Sequence, residues 1–255
     1  MTLDLQTRAQ RRMRRAIFVL GGIVLVLVAA LVVIAVTGGS STTAAPDPKP
    51  SGSAGPSATP TARPNNGGYV APNETVKLPD GAAKSATGNL PVQFPHTPEG
   101  AAAMAVASVR NAWSLEPAQV RAGILAYSSS QYRDQMATAA EDGARGNRQY
   151  AKITPDTGPL PAGATLNAWP IGVKFTAVNS NTVDVLVLLR VTHAAREGAD
   201  PVTNLVVSPG RAVWEGGDWK GTPTDPGQPL PDPVDIGTPF FNEDKWLAIQ
   251  EGDRL

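Results

Sequence analysis

The proton chemistry open to this 255-residue chain rests on His96 and His193 and the carboxylates near them, because these are its only two histidines and cysteine is absent. His193 closes an apolar run beside the loop AAREGAD, where Glu197 and Asp200 could pair with an imidazole acting as a general base. Loop residues of these types usually just meet water, and on that reading His193→Ala changes little. His96 immediately precedes a helix start and reads as a turn-stabilising residue. Two distant histidines and scattered carboxylates do not supply the ligand set of a metal site. Glu141 and Asp142, adjacent on a helix, point in different directions and form a solvated face. No catalytic, cofactor-binding or metal residue is assigned, and the expectation is a protein that is not an enzyme. Without cysteine there are no disulfides or thiolate sites, so the fold must be held by its core alone.

The elements around these residues divide the chain in four. Residues 1–15 are a basic N-terminus with Arg8, Arg11, Arg12, Arg14 and Arg15, suited to anionic lipid head groups. Residues 16–36, AIFVLGGIVLVLVAALVVIAV, carry no charge and match the ~20 residues that a helix needs to cross the hydrocarbon core. A signal peptide is the rival for this segment, but its apolar core would run only ~7–15 residues. The arginine bias places the N-terminus in the cytoplasm and everything downstream outside. Gly21 and Gly22 lack the four-residue spacing of a helix-dimer seam, and a homo-oligomer is neither required nor excluded. Residues 37–92 read as a disordered linker rich in Pro, Gly, Ser and Thr, unable to bury enough apolar surface to offset its ordering entropy. Residues 93–255 form the exterior domain. Setting aside the five arginines and Asp4 from 22 basic and 22 acidic residues leaves 17 against 21, a net of −4 that disfavours direct nucleic-acid contact.

The exterior domain opens with helices. Thr97 followed by Pro98 is a capped start, and Ala102, Val106, Val109 and Trp113 form one buried stripe. A second helix carries Val120, Ile124 and Tyr127, and a third begins at Ser128 to Ser130, turns Tyr132, Met136 and Ala139 inward and ends near Gly143. The period then falls to two. In LNAWPIGVKFTAV, the residues Trp169, Ile171, Val173, Phe175 and Ala177 share one face, and Asn179 to Asn181 turn the chain into a strand from Thr182 to His193. That strand puts Val183, Val185, Val187, Leu189 and Val191 on one side. Leu186 and Leu188 make the other side apolar near its middle, as in a central strand covered on both faces. A third strand, Val202 to Val207, is expected to bulge or bend at Pro209-Gly210. A last hairpin turns through EGGD into Trp219 and Lys220.

Trp113, Trp169, Trp214 and Trp219 fall on inward positions and are assigned to the core. A minority reading leaves the concave side of the sheet hollow, with Trp169 or Phe175 lining a ligand pocket. The tail PLPDPVDIGTPFFNEDKWLAIQ places Phe240, Phe241, Trp246, Leu247 and Ile249 after the domain should have closed. It either wraps back over the sheet or offers a partner surface, and wrapping is the expectation because exposed aromatic clusters are uncommon on monomers.

Helices followed by a curved antiparallel sheet make an α+β domain of a size that buries a substantial core. The order resembles the cone-shaped nuclear transport factor two-like (NTF2-like, cystatin-like) fold. The ending VWEGGDWKG resembles the last hairpin of such domains in actinobacterial exported proteins. FPHTPEGAA and DIGTPFFN resemble segments of membrane proteins of actinobacterial integrative conjugative elements. The layout of one membrane helix and an NTF2-like exterior is similar to assembly-factor subunits of type IV secretion and conjugation machines. What the resemblance implies is a single-pass cell-membrane protein acting as a scaffold or interaction subunit of an envelope complex, with protein partners, in conjugative DNA transfer. The alternative is a ligand-binding or enzymatic NTF2-like domain displayed at the membrane. A scaffold should have its cone plugged by apolar side chains, and an enzyme should have it hollow with convergent polar groups.

Overall fold

The computed structural model describes residues 68–224 and 229–250. The basic N-terminus and the apolar run 16–36 lie outside them. Among the described residues no helix is long and apolar enough to cross a membrane.

The described residues form eight strands and five helices in the order β1 (Thr75–Lys77), β2 (Ala83–Lys84), β3 (Pro91–Val92), α1 (Pro98–Ala112), α2 (Pro117–Tyr127), α3 (Ser130–Thr138), α4 (Ala140–Tyr150), β4 (Thr165–Asn179), β5 (Thr182–Ala194), β6 (Val202–Glu215), β7 (Asp218–Thr222), α5 (Pro239–Glu243) and β8 (Leu247–Gln250). Six strands form one strongly curled, mostly antiparallel sheet in the order β1-β8-β4-β5-β6-β7, and β2 pairs with β3. The α+β class and the helices on a curved sheet are as expected.

Helix α1 starts where the sequence places it, with the Thr97 Oγ1 accepting from the Gly100 N–H at 3.1 Å and Pro98 in the first turn. Its residues Ala101 to Val106 are all buried, more than the single stripe expected. The reason is that α1 lies against β4, β5, β6 and β7 on one side and α2 on the other, and small side chains let all of them approach closely. Gly123 of α2 shows this crossing: a Cβ there would come within 2.7 Å of the Asn111 Cβ.

The helical part differs from expectation in one place. The third helix does not run to Gly143; it breaks at Ala139, and a separate α4 passes straight through Gly143 to Tyr150. Tyr132, Met136 and Ala139 are only half-buried, while Ala137 and Ala140 are buried. The break lets Ala140 and Ala144 pack on Val120, and the Arg121 Nη1 donates to the Ala137 carbonyl at 3.1 Å near the α3 C-terminus. The α3 N-terminus is capped from a distance: the Glu215 carboxylate of β6 accepts from the Ser130 N–H at 3.0 Å.

The hairpin β4–β5 forms with the expected turn, in which the Asn181 N–H donates to the Asn179 Oδ1 at 2.9 Å. Its face assignment is corrected by a bulge. The register shifts between Pro170 and Gly172, so Ile171 has no partner in β5 and the alternation changes side there. Val173 and Phe175 face the main core, Ile171 joins a second core on the opposite face, and Trp169 is 44% exposed. The expected irregularity at Pro209-Gly210 is absent. Strands β5 and β6 pair without a register shift, with Leu186 opposite Pro209 and Val185 opposite Gly210. The Trp214 N–H donates to the Asn181 carbonyl, so even-numbered β6 residues bond to β5, and Pro209, lacking an N–H, falls between them. The β6–β7 ladder stops at Arg211 and Thr222, so that missing donor is needed on neither side.

Strand β5 is covered on both faces as expected. Val183, Val185, Val187, Leu189 and Val191 lie in the main core with α1, while Leu188, fully buried, lies in the second core with Val234, Phe241 and Trp246. The tail therefore wraps over the outer face of the sheet. Phe241 of α5 is 0% exposed, Trp246 between α5 and β8 is 1% exposed, and Arg190 Nη2 of β5 contacts Asp235 Oδ1 at 2.6 Å. Gly172 permits this contact, because a Cβ there would meet the Phe241 ring at 3.0 Å.

The segment expected to be linker up to residue 92 contributes three strands. Val76, Leu78, Leu90 and Val92 pack against the main core, and β1 pairs in parallel with β8. No periodicity marks so short a strand; its partner is the far end of the chain.

Candidate functional site

Strand β5 carries His193 inward. The residue is 6% exposed, its ring lies edge-on to Tyr150 with centroids 5.2 Å apart, and Tyr150 in turn meets Trp113 at 5.1 Å. The Tyr150 hydroxyl accepts from the Asn204 Nδ2 at 3.0 Å, so this face is occupied by side chains packed on one another. Glu197 and Asp200 are exposed in the β5–β6 loop, where the Glu197 N–H donates to the Ala162 carbonyl at 2.7 Å. The imidazole is buried and the loop carboxylates face water, so the suggested acid–base pair is not assembled. His193→Ala would leave a gap beside Tyr150, so its effect is set by packing and not by chemistry.

Burial lowers the His193 pKa; a bond involving the Ala151 backbone opposes this and the charge of Lys152 adds to it. The folded protein thus binds a proton at His193 less readily than the unfolded chain does. Stability from this residue is fully present above its unfolded pKa of ~6.5 and is lost as pH falls toward the folded value. Thermal melts from pH 7.5 to 5 should show a falling melting temperature, with a shallower slope in His193→Gln. Equal slopes in the two proteins would assign the pH dependence to other groups.

His96 stands at the mouth of the helical segment, exposed on one side. It stacks on Trp214 at 4.0 Å and 14°, lies 5.4 Å from Trp219, and its Nε2 is 2.9 Å from the Ser180 carbonyl, to which it donates. With the Trp219 Nε1 donating to the Pro95 carbonyl at 2.8 Å, the segment FPHTP is fastened to the β4–β5 turn and the last hairpin. Of the four tryptophans assigned to the core, Trp219 is fully buried and Trp113 and Trp214 are half-buried against it. Trp169 is the exception: half-exposed because of the bulge, with the Arg110 guanidinium 5.2 Å above its ring.

A buried polar cluster escaped the sequence reading. Asp218 Oδ1 accepts from the N–H groups of Phe94 and Trp219, both at 2.9 Å, and its Oδ2 accepts from Lys220 Nζ at 3.0 Å. Lys220 also donates to the Ala126 carbonyl at 2.7 Å, near the end of α2. The Tyr127 hydroxyl is buried close by, and its pKa is pushed up by burial and then by the charge of Asp218. The cluster clamps β7 to α2 and to the entry of α1. The sequence shows only an acid in EGGDWK, where a hairpin turn normally carries Asp facing solvent, so the burial has no local signal.

The sheet's inner face is filled. Ala101 to Val106 of α1 sit against Val185, Val187, Leu189 and Val191, so the middle of the concave side is occupied by the helix, while Trp169 lies on the other face and Phe175 lines a groove at the edge of this packing. A groove of about 450 Å³ lies at β4–β5–β6 beside the tail, lined by Lys174, Phe175, Thr176, Asp184, Pro209 and Arg211 among others. Its charges are already paired. Arg211 grips Asp184 through two bonds of 2.6 and 2.9 Å, which lowers the Asp184 pKa, and Lys174 lies 4.4 Å over the Trp246 ring. Burial lowers the Lys174 pKa, partly offset by Asp244.

Among the described residues no group of three or more His, Asp or Glu is placed to hold a metal ion. Glu141 and Asp142 are exposed, and Asp142 pairs with Arg145 one turn on. Comparison with family models, with curated proteins and with solved structures gives no match for this chain.

Proposed function

We propose that the chain is a single-pass membrane protein whose exterior domain, an NTF2-like cone plugged by α1, serves as a scaffold or interaction subunit of a cell-envelope assembly in conjugative DNA transfer. The observation that carries this reading is the filling of the curled sheet: the volume that a binding cone would keep open is taken up by Ala101 to Val106. The uncharged run 16–36 and the arginines before it support the anchor and its orientation. The resemblances of FPHTPEGAA, VWEGGDWKG and DIGTPFFN support the setting.

Because the chain has no cysteine, topology can be read with single introduced thiols. On intact cells, Ser53→Cys should react with an impermeant thiol reagent and Thr7→Cys should not. Labelling in the opposite sense would reverse the assigned compartment, and release of the domain into the medium would replace the anchor with a cleaved signal. In cells that carry a conjugative element, loss of the chain should abolish DNA transfer, and undiminished transfer would sink the proposed setting.

A further inference from the structure

The stretch by which the chain enters the domain is bonded to the tail. Among the described residues, strand β1 has β8 as its only neighbour in the sheet, in the parallel register Thr75 to Ala248, Val76 to Ile249 and Lys77 to Gln250. The Val70 N–H donates to the Gly237 carbonyl at 2.8 Å, and the Ala248 N–H donates to the Glu74 carbonyl at 3.0 Å. The Asn242 side chain bridges the same two segments, its Oδ1 accepting from the Asn73 N–H at 2.8 Å and its Nδ2 donating to the Ala71 carbonyl at 3.0 Å. Gln250 Nε2 donates to Thr75 Oγ1 at 2.8 Å. The Tyr69 ring lies on Gly237, whose φ of +87° and missing Cβ both suit that contact. Strand β8 itself is joined to β4 through only two residue pairs, at Gly172 and Val173.

We propose that the tail is a strap that holds the entry segment, and that residues 69–77 and 237–250 open and close as one unit at the β4 edge of the sheet. A pull on the chain before residue 68 then reaches the tail before it reaches β5. Opening uncovers Ile171, Leu188 and Val207 on the outer face and withdraws Val76, Leu247 and Ile249 from the main core. This coupling does not depend on which compartment holds the domain.

Amide hydrogen exchange on the full chain tests the coupling, because local opening is read segment by segment. Asn242→Ala removes two bonds to the entry segment and should lower protection of residues 69–77 and of 247–250 together, by roughly tenfold, while Val185 to Val191 of β5 keep theirs. A disulfide between Lys77→Cys and Gln250→Cys, two exposed positions in register, should raise protection of both segments in the otherwise natural chain and restore both in the Asn242→Ala chain. If Asn242→Ala prevents folding, the oxidised and reduced forms of the cysteine pair give the same comparison. A change in one segment without the other, or no change in either, would overturn the strap.

Discussion

Val187→Asp is expected to leave the domain unable to fold. Val187 is 1% exposed in the middle of β5, opposite Val173 on one side and Ser208 on the other, and it faces the core built on α1. A carboxylate there has no cation within the apolar cluster and must either stay charged in a dry site or take up a proton. Either choice costs several kcal/mol, against a total of about 5–15 kcal/mol for a domain of ordinary stability. Circular dichroism should show loss of the near-ultraviolet signal and of the cooperative melt. The matched control is Val178→Asp in the same hairpin, where the valine is 56% exposed at the second irregularity of β4. That variant should melt within a few degrees of the natural domain, since surface changes are usually worth less than ~0.5 kcal/mol. Equal loss in the two would mean that hairpin register, and not burial, is what the substitution damages.

Truncation after Asp235 is the second large effect. It removes Ile236, Phe240, Phe241, Trp246 and β8, and exposes Ile171, Leu188 and Val207 beneath them. Aromatic burial of ~150–250 Å² per ring at ~25 cal/mol per Å² gives a gross ~4–6 kcal/mol for each of Phe241 and Trp246 before the ordering entropy of the tail is subtracted. A net loss of ~2–4 kcal/mol corresponds to a fall of roughly 5–15 °C in melting temperature for a domain of this size. The fragment 68–235 should therefore melt well below 68–255 and aggregate through its uncovered face. An unchanged melting temperature would show that the tail's contacts contribute nothing net to the fold. The tail would then be free to act elsewhere.

Much of the architecture was legible in local pattern. Thr97-Pro98 announces α1 because capping and a fixed φ are properties of neighbouring residues, and the Asn179–Asn181 turn defines the hairpin for the same reason. The double-sided apolar pattern at Leu186 to Leu189 required a second cover. The aromatic tail supplies it, and its wrapping is expected on separate grounds, the rarity of exposed aromatic clusters. The candidate site was less legible. His193 beside Glu197 and Asp200 is a plausible acid–base set in one dimension, but whether an imidazole meets a carboxylate or a tyrosine depends on which way the strand ends and the loop leaves. The cluster of Asp218, Lys220 and Tyr127 joins residues from two distant elements, and nothing in EGGDWK announces that its acid is buried.

The sequence by itself determined where helices start, where the chain alternates with period two, that β5 is central and that the tail is too apolar to be left in water. Each of these follows from residues within a turn or two of one another. Only the tertiary structure decided the bulge at Ile171 that turns Trp169 outward, the smooth passage of β6 through Pro209, the break at Ala139 and the pairing of β1 with β8. Those are settled by how a curled sheet closes around α1 and by which edge the tail reaches, and such contacts join residues too far apart in the chain for any local preference to specify.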